Sequence, residues 1–161
     1  MSQSNAHDIK LLKGLTQHLH DNAETYREAA SEIEHLGYRD WLTRRAQERD
    51  AMADELKAEV VQRGGTADDG GSILAKAQRA FMDIKQALLR SDTSLIDSIE
   101  ASEIDLANRF ASAIEDKDLS ATTRESLRRT HTRILATREQ VGELKHSLQS
   151  QATVDNPLYP N

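Results

Sequence analysis

The chain has no cysteine, and its two prolines both fall in the last five residues. Without a thiol there is no disulfide framework, thiolate zinc site, iron–sulfur cluster or cysteine nucleophile. Any metal would have to rest on carboxylate and imidazole. Proline is the strongest helix breaker, so its absence from the first 156 residues leaves long helices unobstructed. Glycine is also scarce, and the low aromatic content, with few β-branched runs, disfavours a sheet architecture. No apolar run approaches the roughly 20 residues needed to cross a bilayer, and the first eight residues lack the cationic start and apolar core of a secretory signal. A cytoplasmic protein without a membrane partner is expected. The net charge of -6 argues against a nucleic-acid surface, since affinity for phosphates comes from clustered Lys and Arg.

What remains is Ala, Leu, Glu, Lys and Arg at helical spacing. Leu12, Leu15, Leu19, Asn22, Tyr26, Ala29, Ile33 and Leu36 recur every three or four residues, which predicts a helix from about Ala6 to Leu36. Gly37 is expected to end it in a left-handed conformation, with Asp40 capping the next helix. That second helix, from about Trp41 to Gln62, carries Leu42, Ala46, Arg49, Ala53, Leu56 and Val60 on its seam and is stopped by Gly64 and Gly65. After an Asp- and Gly-rich connector, Ser72 suits the N-cap of a shorter amphipathic helix through Ile73, Ala77, Phe81, Ile84 and Leu88. A third helix follows with Ile96, Ile99, Glu103, Leu106, Phe110 and Ala113. After a turn at Asp116 to Ser120, the fourth carries Leu127, His131, Ile134, Arg138, Val141 and Leu148.

Short links make helices one and two, and three and four, antiparallel hairpins, whereas about 30 residues separate the hairpins, enough to travel back along a bundle. The expected fold is all-α: a ferritin-like four-helix bundle over residues 9–148, with a long crossover between helices two and three that contains the extra amphipathic helix. Residues 1–8 are expected as a flexible N-terminus and 149–161 as a disordered tail.

The run Glu55, Leu56, Glu59, Val60, Gly64 and Gly65, then Gly71, Ser72, Arg79, Lys85 and Leu88, with Glu100 and Glu103 after it, resembles an uncharacterised bacterial family of ferritin-like four-helix bundles of unknown function. The similarity covers about Ile9 to Lys145. It implies a ferritin-like fold, a bacterial cytoplasm, an association with stress responses and no established activity.

Each seam is broken by a polar residue near mid-depth: Asn22, Arg49, Glu103 and His131. With Glu24 and Glu28 nearby, these form the expected polar core layer. In ferritin-like bundles such a layer holds a metal pair, taking a Glu from each of two helices and a Glu-x-x-His from each of the other two. Glu24, Glu28, Glu103 and His131 are the candidate ligands for iron or manganese here. Yet three residues after Glu48 stands Ala51, helix two has no histidine, and Arg128 occupies the place of the partner Glu for His131. Arg49 can satisfy buried carboxylates in place of a cation. The residues favour a structural layer without cofactor, and no catalytic constellation is singled out.

His18 and His20 face different sides of helix one and are expected to be solvated. The basic residues Arg124, Arg128, Arg129, Arg133 and Arg138 of helix four are expected to answer the acidic residues Glu24, Glu28, Glu32 and Glu34 of helix one. The function expected is that of a non-catalytic, stress-associated bundle acting through protein contacts, with Phe81, Met82 and Leu89 as candidate homodimer contacts. The alternative is a degenerate di-metal carboxylate protein with oxidase or metal-handling activity.

Overall fold

The structure, a computed structural model, describes residues 3–67 and 91–154, with side chains over 5–67 and 91–151. The described residues form four α-helices and no strand: α1 (Gln3–Glu32), α2 (Leu36–Gln62), α3 (Asp92–Ile114) and α4 (Ala121–Val154). No helix among them is long and apolar enough to cross a membrane. Phe81, Met82, Leu89 and the rest of the amphipathic stretch, and the tail beyond Val154, lie outside the described residues.

The link between α1 and α2 is shorter than the sequence suggests. Gly37 does not stop α1 in a left-handed conformation; α1 ends at Glu32, and Gly37 lies in the first turn of α2, which starts at Leu36 with His35 rather than Asp40 at its N-cap. The reason is Arg39. Its guanidinium donates to the carbonyls of Ala30 and Ile33 at 3.0 Å each, satisfying acceptors that the last turn of α1 leaves open. The other end of α2 follows the expected chemistry. Gly64 takes φ 87°, its N–H donates to Val61 O, and the Gly65 N–H donates to Val60 O, the paired bonds of a Schellman stop.

Helix directions follow from which residues meet. Asn5 donates to Arg63 O at 2.6 Å, so the start of α1 lies beside the end of α2. The Glu34 N–H donates to Asp92 Oδ1, placing the start of α3 at the opposite end, just past α1. Asp8 binds Ser120 and Thr123, so α4 begins where α1 begins. Helices α2 and α3 therefore run in the same direction, and the chain between Ala67 and Ser91 joins opposite ends of the bundle.

The core is divided in two. Leu12, Leu15, Leu19, Leu56, Leu106, Phe110, Leu127 and Ile134 belong to one buried cluster; Tyr26, Ile33, Leu42, Ile96, Ile99, Val141 and Leu148 belong to the other. Between them, along α1, α2 and α3, fall Asn22, Arg49 and Glu103.

On α4 the buried row is Thr123, Leu127, Thr130, Ile134, Thr137, Val141 and Leu148. The polar members of this seam are threonines, not His131 and Arg138 as the sequence suggests. A threonine buries its methyl while its hydroxyl returns to the preceding turn, as Thr130 does to Ser126 O and Thr137 to Arg133 O. Arg138 has no such local solution and is exposed. The helix continues to Val154, past residue 148, and α1 begins at Gln3, inside the stretch expected to precede the bundle.

That start is anchored by Asp8, which is 1% exposed. Its carboxylate accepts from the Ser120 N–H, the Ser120 hydroxyl and the Thr123 hydroxyl, and Arg63 approaches to 3.9 Å. Burial pushes the Asp8 carboxyl up, but the three donors and the Arg63 charge outweigh it and hold the group below its ordinary 3.8. Ser120 also caps α4, so one carboxylate ties α1 to the turn between α3 and α4.

Candidate functional site

The polar layer is centred on Glu103 of α3, which is fully buried. Its two oxygens are both engaged: Tyr26 of α1 donates its phenol to Oε1 at 2.8 Å, and Arg49 of α2 donates Nη2 to Oε2 at 2.8 Å. Arg49 is itself 1% exposed, and its Nη1 rests 3.6 Å from the Met52 sulfur. Asn22, one turn before Tyr26, donates to the Ser102 hydroxyl at 2.9 Å and also bonds toward Glu103. Three helices thus meet at one carboxylate.

The electrostatics of the layer follow from its dryness. Burial pushes the Glu103 carboxyl above its ordinary 4.5, while Arg49, Tyr26 and Asn22 pull it back down without cancelling the rise. Burial also pushes the Tyr26 phenol up, and the neighbouring carboxylate adds to the shift, so Tyr26 remains a neutral donor. The layer is not free of cost. Asn22 Oδ1 and Arg49 Nε are buried without a hydrogen-bond partner among the described residues, and such groups each cost about 1–3 kcal/mol.

Asn22, Arg49 and Glu103 are therefore brought together and buried. Glu24, Glu28 and His131 are only partly buried. Glu24 ion-pairs with Arg27, which also bonds Asp50 at 2.6 Å, so this pair lies on the outer side of the α1–α2 hairpin. Tyr26 is the partner that sequence reasoning missed: it reads as an apolar seam residue, yet a buried phenol needs an acceptor, and that requirement was the available signal.

Other charged residues also find different neighbours from those the sequence suggests. His20 is not solvated but half-buried against Asp50, at 3.1 Å. Among the described residues, Arg124, Arg128 and Arg133 of α4 find partners other than the acids of α1. Arg133 pairs with Glu55 of α2, Arg128 with Glu125 of its own helix, and Arg124 caps the carbonyls of Ile114, Asp116 and Leu119.

Two further features lie between α1 and α3. A groove of about 730 Å³ runs beside Lys10, Leu11, Gly14, Arg109 and Ser112. At its end His7 Nε2 meets Asp116 Oδ2 at 2.9 Å. Among the described residues, His7, Asp116 and Asp118 are the set whose ligand-type atoms lie within 4.8 Å of one another. None of Glu24, Glu28, Glu103 or His131 belongs to it.

The family described as Domain of unknown function (DUF2383) matches residues 8–116. This is more than half of the 161 residues, and the chain belongs to that family. The match takes in α1, α2, the connecting chain and α3, and ends where the turn to α4 begins. No curated protein and no solved structure matches the chain.

Proposed function

We propose that this chain is a non-catalytic bundle of ferritin-like topology that acts through protein contacts, its polar layer serving to fix helix register. The observation that carries this reading is the Arg49 guanidinium 2.8 Å from Glu103 in a layer closed to solvent. A carboxylate-bridged metal pair needs free carboxylate oxygens and imidazoles converging on one volume. Here each Glu103 oxygen already accepts from a buried donor, and the nearest fixed charge is positive. A divalent cation in the same layer would face the guanidinium across a medium of low dielectric, where repulsion is strong. Glu24 is committed to Arg27, and His131 flanks the seam of α4 instead of lying on it. These residues do not fit a di-metal centre. The shared direction of α2 and α3, with the chain between them joining opposite ends, supports the ferritin-like crossover.

A lone ion pair in a core is a poor source of stability but a good source of specificity, because any register that separates Arg49 from Glu103 leaves a charge buried alone. With its core chemistry neutralised in this way, the molecule has its surface left for function. Metal analysis of protein produced in medium supplemented with iron and manganese tests the reading. No stoichiometric metal is expected. About one or two ions per chain, lost in Glu103→Gln, would overturn it.

A further inference from the structure

We propose that His7, Asp116 and Asp118 form a divalent-metal site, suited to zinc, that ties the start of α1 to the turn between α3 and α4. The chain has no thiolate to offer, so an ion must rest on imidazole and carboxylate. In the polar layer Glu103 is already committed to Tyr26 and Arg49. At the end of the bundle both ligand types occur together: one imidazole and two carboxylates, each with an atom within 4.8 Å of the others.

The fold assembles this set, which is what separates it from a run of surface acids. His7 and Asp116 are 109 positions apart, yet Nε2 and Oδ2 meet at 2.9 Å. Both are held in place. His7 precedes Asp8, whose buried carboxylate accepts from Ser120 and Thr123 and so fixes the first turns of α1 against the α3–α4 turn. Arg124 clamps that turn from the other side by donating to the carbonyls of Ile114, Asp116 and Leu119. Asp116 Oδ1 accepts the Asp118 N–H at 2.9 Å, which leaves Oδ2 to the imidazole. The Asp118 N–H and the His7 ring hold the Asp116 carboxyl below its ordinary 3.8, so it is an anion at neutral pH. Ligands oriented by such neighbouring bonds need little rearrangement to take an ion.

The spacing is close to that of a loaded site. With zinc about 2.0–2.1 Å from nitrogen and oxygen in tetrahedral geometry, two ligand atoms stand about 3.3 Å apart. The His7–Asp116 pair at 2.9 Å has to open by only about 0.4 Å, and the exposed Asp118 side chain turns in to close the third side. The neutral ring keeps its one proton, on Nδ1 when Nε2 binds the metal, and the hydrogen bond to Oδ2 is exchanged for two bonds to the ion. An imidazole beside two carboxylates favours zinc over magnesium or calcium, which take oxygen ligands. Three protein ligands leave the fourth position to water, and because His7 and Asp116 also line the α1–α3 groove, the ion stands at the end of that groove.

A partly exposed three-ligand site gives up its ion during purification, so chelator-treated protein is titrated with zinc by calorimetry. One ion per chain is expected at micromolar free zinc. His7→Ala and Asp116→Asn should each weaken binding at least about 100-fold, the upper end of what losing a mere outer-shell partner costs, and Asp118→Ala at least about tenfold. Glu103→Gln and His20→Ala should bind as the native chain does. Zinc should also raise the melting temperature of the native chain and not that of His7→Ala.

A second measurement needs no variant. In nitrogen-15 spectra of the six imidazoles, zinc is expected to shift Nε2 of His7 and leave the other five rings in place. No saturable binding, full affinity in His7→Ala, or shifts confined to other histidines would overturn the site. Zinc that follows His7 and survives Glu103→Gln supports it and leaves the reading of the polar layer intact, whereas zinc lost only in Glu103→Gln overturns both.

Discussion

Replacing Arg49 by Met should unmask the charge that the guanidinium now balances. The side chain is 1% exposed and its partner Glu103 fully buried, so the variant leaves a carboxylate in a dry core with the Tyr26 phenol and Asn22 as its remaining donors. Breaking a buried pair in this way costs about 3–5 kcal/mol at neutral pH. The pH dependence carries the sharper signature. A carboxyl whose folded-state pKa is raised above its unfolded value favours folding while it is protonated. That contribution is complete below about 4.5 and is lost as pH rises through the folded-state pKa. In the native chain the shift is already upward, and removing the cation enlarges it. Within the window the loss is about 1.4 kcal/mol per pH unit, and it stops at the folded-state pKa, which removal of the cation moves upward. Urea unfolding followed by circular dichroism at pH 5, 6, 7 and 8 measures this. Arg49→Met should lose stability steeply across the series, and the double variant with Glu103→Gln, which has no charge to bury, should recover most of the deficit and show a flat profile. A single variant within about 1 kcal/mol of the native chain at every pH, or a double variant as unstable as the sum of the two singles, would refute a coupled layer.

Two other predictions concern the end of the bundle where the α1 start, the α2 stop and the α3–α4 turn meet. Asp8, held below its ordinary 3.8, contributes stability that is complete above that value and is lost as pH falls through its lower folded-state pKa. The deficit of Asp8→Asn, about 1.5–3 kcal/mol near neutrality for a hydrogen-bonded carboxylate, should therefore shrink in thermal melts below pH 4. A deficit constant down to pH 2.5 would show that the carboxylate charge plays no part. At the stop of α2, Gly64→Ala should cost about 1–2 kcal/mol for the left-handed backbone alone, with Gly64→Asn cheaper. Gly65→Ala should cost about as much or more for a different reason, because its Cβ would lie 2.8 Å from the Val60 methyl. Equal stabilities for Gly64→Ala and Gly64→Asn would contradict the conformational account.

The apolar spacing and the absence of internal proline were enough to dictate four long helices and the buried faces of α2, α3 and α1 as far as Ile33, because a period of three and four residues has one way to bury itself; Leu36, read as the last member of the first seam, is instead exposed at the start of α2. They also singled out Asn22, Arg49 and Glu103, since a polar residue on an apolar seam is conspicuous in one dimension. Spacing alone misjudged α4, where Thr130 and Thr137 occupy the seam and His131 only flanks it. Threonine can bury by bonding its own helix, a local solution that a hydropathy pattern does not register. Pairing was beyond the sequence altogether. That Tyr26 and Arg49 divide the two oxygens of one carboxylate, that Asp8 reaches Ser120 from 112 positions away, and that Arg39 closes α1 in place of a glycine depend on which atoms lie within about 3 Å after packing. Periodicity determines which face of a helix is dry; only the tertiary structure determines which buried groups satisfy one another there, because hydrogen bonds and ion pairs depend on distance and direction that no spacing along the chain encodes.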